Sequence, residues 1–251
     1  MSLYLGNNKV SMKSGYTTTG LKDFLEHGGR FSYTDYTDLT GMLKYSDISN
    51  LTDLQYMFSN CYNLNTIPRL DTSNATNMRG MFAYDRKLTS IPQLDTSNVT
   101  NMSDMFISCS MLINVPNLDT HKVTSFTQTF TNCSKLTSIP QLDTSNAKEM
   151  TSMFRGCNAL ISIPNLDASK VTLGNQIFNY CENLKEIHMT GIKFSFDIHY
   201  STKFTREALV EILNNLATIT NTRTLTMGST NLAKLTDEDK AIATNKGWTL
   251  A

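Results

Sequence analysis

The sequence has no surplus of charge. It carries 22 basic and 22 acidic side chains, and no run of lysine or arginine breaks the balance. The electrostatic footprint that nucleic acids and anionic membranes require is missing, so neither is expected as a partner. The roughly eighteen consecutive apolar residues of a membrane span are also missing, so no membrane insertion is expected. The opening MSLYLGNNKVSMKSGY has no apolar core of a secretion signal. These absences lead to the expectation of a chain made in the cytoplasm without a signal peptide. There is no G-x-G-x-x-G, P-loop, G-x-S-x-G or HExxH motif, so no enzymatic activity and no cofactor are expected. Cysteine and proline are limited to five residues each and tryptophan to one. An odd cysteine count leaves at least one thiol unpaired, and a cytosolic origin favours reduced thiols.

What is present is a repeat. In a chain of 251 residues, 40% hydrophobic and 18% charged, a period of 24 residues runs unbroken through the middle. Six copies align on Phe58, Phe82, Phe106, Phe130, Phe154 and Phe178. Every proline falls in one column (Pro68, Pro92, Pro116, Pro140, Pro164) and every cysteine in another (Cys61, Cys109, Cys133, Cys157, Cys181), with Asp85 in the vacant cysteine slot. Such a period marks a solenoid, whose units bury their apolar faces only by stacking. Within one unit, Val99, Met102, Met105, Phe106 and Cys109 are spaced like one face of a short helix. Leu112 and Val115 read as a short strand that Pro116 closes.

The expected fold class is therefore α/β: six 24-residue units, each a short helix plus a short parallel strand, stacked over residues 46–189. Residues 1–45 form an N-terminal cap, with a helix led by Thr19, carrying Leu21, Phe24 and Leu25 and stopped by Gly28-Gly29. Residues 190–251 form a C-terminal cap. There Phe204 to Leu216 reads as a helical stripe, Thr222 to Met227 as a strand, Thr236 as the start of a second helix and Trp248 as a core plug.

The units LDTSNVTNMSDMFISCSMLINVP (94–116) and LDTSNAKEMTSMFRGCNALISIP (142–164) resemble the BspA-type leucine-rich-repeat family of bacterial surface proteins. That resemblance implies a leucine-rich-repeat-like solenoid used for adhesion or protein binding, without catalysis. The ending GSTNLAKLTDEDKAIATNKGWTLA (228–251) is similar to endings of such repeat proteins in Firmicutes and their phages. The opening YLGNNKV (4–10) is similar to the start of phage tail-associated proteins. Together they imply a virion-associated receptor-binding or accessory protein contacting a host surface glycan or protein. The alternative is a cytoplasmic module that binds and modulates a bacterial host protein.

Each candidate for chemistry has a structural counterpart. The cysteine column reads as small buried thiols, because ligands 24 residues apart do not give the tight pairs of a zinc site. In that column Asp85 would need a partner, for which Arg86 and Lys87 are at hand. The aspartate column (Asp47, Asp71, Asp95, Asp119, Asp143, Asp167) is open to two readings, a calcium row or carboxylates that accept backbone N–H bonds at each turn; the second needs no metal. His27, His121, His188 and His199 are scattered, and Glu186 with His188 is the near acid–base pair that an enzyme reading would use. Binding is expected on the concave strand face, at Thr66, Arg69, Ser90, Gln93, Asn114, Asn117, Ser138, Gln141, Ser162 and Asn165. These polar, nearly uncharged side chains suit a glycan or a flat protein epitope. Tyr33, Tyr36, Tyr45, Tyr56 and Tyr62 form the competing patch.

Overall fold

The computed structural model describes residues 2–5, 8–11, 29–31 and 48–251. At the N-terminal end, β1 (Ser2–Leu5) lies between β2 (Asn8–Ser11) and β3 (Gly29–Arg30), antiparallel to both. Apart from Gly29 in β3, the expected cap helix lies outside the described residues.

Through the middle of the chain the 24-residue period is a repeat in space. Single parallel bridges join Asp53 to Asn77, Asn77 to Asn101, Asn101 to Ser125, Ser125 to Glu149 and Glu149 to Leu173. The six phenylalanine rings of the column stack face to face, 5.5 to 6.1 Å apart and within 11° of parallel. Phe31 extends the stack by one ring, 5.6 Å from Phe58. Cys61, Leu64, Ile67 and Leu70 and their counterparts pack around it, buried throughout apart from the half-buried Ile139. In such a stack each unit supplies the apolar surface that its neighbour covers.

The helix expected in each unit does not form. Around Phe106 the amides alternate between two kinds of partner. Met105 N, Ile107 N and Cys109 N close tight turns onto Met102 O, Asp104 O and Phe106 O, while Met102 N, Asp104 N, Phe106 N and Ser108 N donate to Ser125, Thr127, Thr129 and Thr131 of the next unit. An α-helix would commit those amides to its own carbonyls and leave none for the neighbour. The turns keep the inward spacing of three and four residues, which is why the pattern reads as helical. They also require two left-handed residues per unit, at the positions of Tyr56 and Asn60. Ten of the twelve are not glycine, among them Asp104, Ser108, Gln128 and Tyr180. Each carries a strain of about 1 kcal/mol or more. Gly80 and Gly156 are the exceptions, and at Gly80 a Cβ would run into the Tyr56 ring.

The strand face also differs from expectation. One parallel pair forms, β4 (Ser162–Asp167) with β5 (Glu186–Thr190), its register shifting between Ile163 and Leu166. β5 has His188 in the proline slot. In the earlier units proline meets proline and brings no N–H, so the backbone ladder stops at single bonds such as Ile113 N to Thr89 O (3.2 Å). Side chains supply part of what is missing: Gln93 Nε2 donates to Asn117 O (2.6 Å), and Gln141 Nε2 donates to Asn165 O.

The Asp-Thr-Ser-Asn motif sets the register at the next corner. Asp95 Oδ1 accepts from Ser97 N (3.0 Å), closing a local turn. Thr96 Oγ1 donates forward to Asp119 O (2.8 Å), and Asn98 Nδ2 donates back to Ser73 O (2.9 Å). Threonine at the next corner repeats the tie, as Thr100 Oγ1 does to Thr76 O (3.2 Å).

Beyond the last unit, β6 (Phe196–Asp197), β7 (Arg223–Thr226) and β8 (Trp248–Leu250) form a parallel sheet in that order. α1 (Arg206–Asn215) is capped by Thr205, α2 (Ser229–Leu232) is one turn, and α3 (Asp237–Thr244) opens on a capping box of Thr236 and Asp239. Arg206 of α1 grips Asp239 through two bonds (2.7 and 2.8 Å), tying the two helices together. Phe196 closes the ring stack edge-on against Phe178 (6.2 Å). Buried Trp248 packs edge-on behind it (6.1 Å) and donates from Nε1 to Ala217 O (2.9 Å).

Candidate functional site

The strand face places Thr66, Arg69, Ser90, Gln93, Asn114, Asn117, Ser138, Gln141 and Asn165 in the open and leaves Ser162 half-buried in β4. Gln93 and Gln141 are not free recognition groups, since their amides brace neighbouring units. An open groove of about 780 Å³ brings Arg69 and Gln93 together with Asp71, Asp95 and Asp119. The other predicted strand-face residues do not line it. The aspartates are the residues that sequence reasoning missed as a surface. They stand two positions after Arg69, Gln93 and Asn117 in the period, and that column adjacency was the available signal.

Each described aspartate of the column accepts a backbone N–H two residues on, as Asp71 does from Ser73 (3.1 Å) and Asp167 from Ser169 (2.7 Å). At Asp119 the partner is His121, whose ring nitrogen lies 2.6 Å away and whose bonds hold the carboxyl below its ordinary range. The Ser145 hydroxyl and N–H do the same for Asp143. Asp47 lies outside the described residues. Among the described residues no group of three or more histidine, cysteine or acidic side chains is placed to hold a metal ion.

Of the competing patch, Tyr33, Tyr36 and Tyr45 lie outside the described residues. Tyr62 is exposed with the Arg86 guanidinium 5.8 Å from its ring, and half-buried Tyr56 has Arg79 at 5.8 Å. Tyr84, not singled out from the sequence, is exposed as well.

All five cysteines are buried and unbridged. Four thiols donate to the carbonyl of the phenylalanine 27 residues earlier, as Cys109 Sγ does to Phe82 O (3.0 Å); Cys61 uses Phe31 O (2.8 Å). Burial pushes the thiols of Cys109, Cys133 and Cys157 well above the ordinary value and that of Cys181 up to about 12. Asp85 does not take the partner expected of it. Arg86 turns to Tyr62, and Lys87 Nζ donates to Asn63 Oδ1 (2.9 Å). The Asp85 carboxyl is 0% exposed, accepts from Cys61 N (2.7 Å) and leaves Oδ2 without a partner. Desolvation raises its pKa well above the ordinary value, with the Cys61 bond opposing.

The described histidines each find an acid. His199 meets Asp197 (2.6 Å), while His188 lies between Glu211 of α1 (2.7 Å) and Glu186 (3.6 Å), which raises its pKa. The Glu211 contact spans 23 residues and could not be read from local spacing. His27 lies outside the described residues.

A family model described as a Mycoplasma protein of unknown function, DUF285, matches residues 30–137 and again 83–191. The chain belongs to the DUF285 family. It is a family of repeat-containing surface proteins related to the BspA-like ones. The matched stretches span the ring stack and the groove. No curated protein matches the chain.

Proposed function

We propose that this chain is a non-enzymatic recognition protein, a leucine-rich-repeat-type solenoid of BspA kind whose repeat surface holds a glycan or a flat protein epitope on a bacterial surface. The observation that carries this reading is the groove. One guanidinium, a braced amide and three carboxylates recur in register there beside an exposed row of uncharged polar side chains. Such a surface can donate and accept hydrogen bonds along its length without attracting a polyanion. The likeness of the opening 4–10 to the start of phage tail-associated proteins, and of the ending 228–251 to repeat proteins of Firmicutes and their phages, supports a virion setting.

Retention of the purified protein on bacterial cells and on isolated envelope glycans tests this. The double variant Arg69→Ala/Asp95→Asn should lose binding at an unchanged melting temperature, because asparagine keeps the turn bond to Ser97. Absence of binding to every envelope preparation, with the protein missing from virions by mass spectrometry, overturns the proposal. A cytoplasmic protein partner is the second reading, favoured by exposed Tyr62 beside Arg86 and by exposed Tyr84. One partner recovered from cytosolic lysate by the wild type and lost with Tyr84→Ala supports it.

A further inference from the structure

The unit stack ends with backbone donors that no described protein group takes. In the unit before the last, Ser152 N reaches Asn175 O (2.9 Å) and Gly156 N reaches Asn179 O (2.8 Å). Their counterparts one unit on, Gln176 N and Tyr180 N, have no partner among the described residues. The cause is topological. Where a seventh unit would lie, β6 pairs with β7 instead. A cavity of about 550 Å³ is left between, lined among others by Leu173, Gln176, Asn179, Asp197, Arg223 and Thr226.

The wall chemistry is mixed. Leu173 stands in the column of Asn77, Asn101 and Ser125, yet is apolar and 51% exposed. Arg223 is held by Lys193 O (3.2 Å) and Thr222 O (3.4 Å) through Nε and Nη1, with its remaining N–H groups uncommitted. Asn179 Oδ1 is shut off from solvent and has no partner. Asn179 itself lines the cavity, and the outer torsion of asparagine is broad, so a half-turn exchanges its oxygen and its N–H₂. Asp197 spends Oδ1 on the backbone N–H and ring of His199 (2.8 and 2.6 Å). That ring touches Tyr200 (centroids 3.7 Å apart), which lies 4.3 Å from Tyr180, 40% exposed and covered by the Arg155 guanidinium at 5.2 Å.

We infer that this junction is a binding pocket for a mono- or disaccharide. Sugar hydroxyls donate and accept from the same atom, which matches a lining that carries the Arg223 and Gln176 N–H donors together with the Asn179 carboxamide and the Asp197 carboxylate. The apolar face of a pyranose ring matches Leu173 and the Phe194 and Phe196 rings of the lining. The volume is within the range of small-molecule pockets. An anion would meet Asp197. An extended peptide would need the whole donor edge, but the Phe194 ring covers Gly174 so closely that a Cβ there would run into it. The ligand class rests on the recognition reading proposed above, whereas the site does not share the groove's residues.

The full chain, titrated with glucose, galactose, N-acetylglucosamine and their disaccharides, should show saturation transfer to at least one sugar, with amide shifts at Gln176, Asn179 and Thr226. Asn179→Ala copies Ala83 of the second unit and should keep the melting temperature while weakening that sugar at least tenfold. Leu173→Asn, which copies the column, should also weaken it. No sugar perturbing these amides, or equal binding by Asn179→Ala, overturns the pocket. Groove variants that lose envelope binding while this pocket stays silent would refute the pocket and leave the recognition reading standing. Shifts at these amides with a soluble sugar while envelope binding fails would do the reverse.

Discussion

Replacing Asp85 with asparagine should make the protein more stable, and increasingly so as the pH rises. The carboxamide of the Asp85→Asn variant keeps an oxygen for Cys61 N and places an N–H₂ where the acid leaves Oδ2 unpartnered. By the spacing of the cysteine column, the acceptor expected for that group is Phe58 O, the carbonyl 27 residues earlier that a thiol would take. A buried unsatisfied polar atom costs about 1 to 3 kcal/mol, so a gain of that order is expected at neutral pH. For a chain of this size it corresponds to roughly 2 to 12 °C in melting temperature. The sign of the pH dependence follows from the raised carboxyl pKa. The folded state keeps its proton to higher pH than the unfolded state does, so Asp85's contribution is fully present below about pH 4, the unfolded value. It is lost as pH rises through the folded value, by up to about 1.4 kcal/mol per pH unit. Other carboxyl groups cancel when wild type and Asp85→Asn are compared at the same pH. Urea unfolding of both at pH 5, 6, 7 and 8 should therefore show a gap that widens with pH, and Asp85→Cys should widen likewise. A constant gap, or a less stable variant at pH 8, would refute the reasoning by showing that Asp85 is ionised and paired in the folded state.

The remaining predictions concern the same stack. Gln128→Gly relieves one left-handed side chain that makes no side-chain bond and should stabilise by about 0.5 to 1 kcal/mol in urea unfolding; a loss would argue against strain at that column. Phe106→Ala, at the centre of the ring stack, should cost about 3 to 5 kcal/mol, whereas a cost below about 1 kcal/mol would show that the rings do not carry the stack. Ellman's reagent should react with none of the five thiols in native protein at pH 8 and with all five in denaturant. A fast native thiol would contradict their burial and raised pKa.

The candidate groove was legible in part. Arg69 and Gln93 are marked by their columns, but the carboxylates opposite suggest a calcium row or turn acceptors and not a binding surface; they do accept the turn bonds. Gln93 and Gln141 were marked as contact residues. They prove to be braces, because the need for a brace arises only when Pro92 meets Pro116 across the stack. The pairing of His188 with Glu211 spans about one unit, which a local reading does not reach.

Residue spacing alone settles which side chains are inside and which of them stack. Period, column and polarity are properties of spacing, and the inward spacing of three and four residues is the same for a helix and for two successive turns. The choice between the two backbones is made by the folded stack, because it turns on whether alternate amides bond within the unit or to the unit above. That neighbour exists only once the chain has coiled. The same holds at the C-terminal junction, where Gln176 and Arg223 come together because β6 leaves the stack to pair with β7.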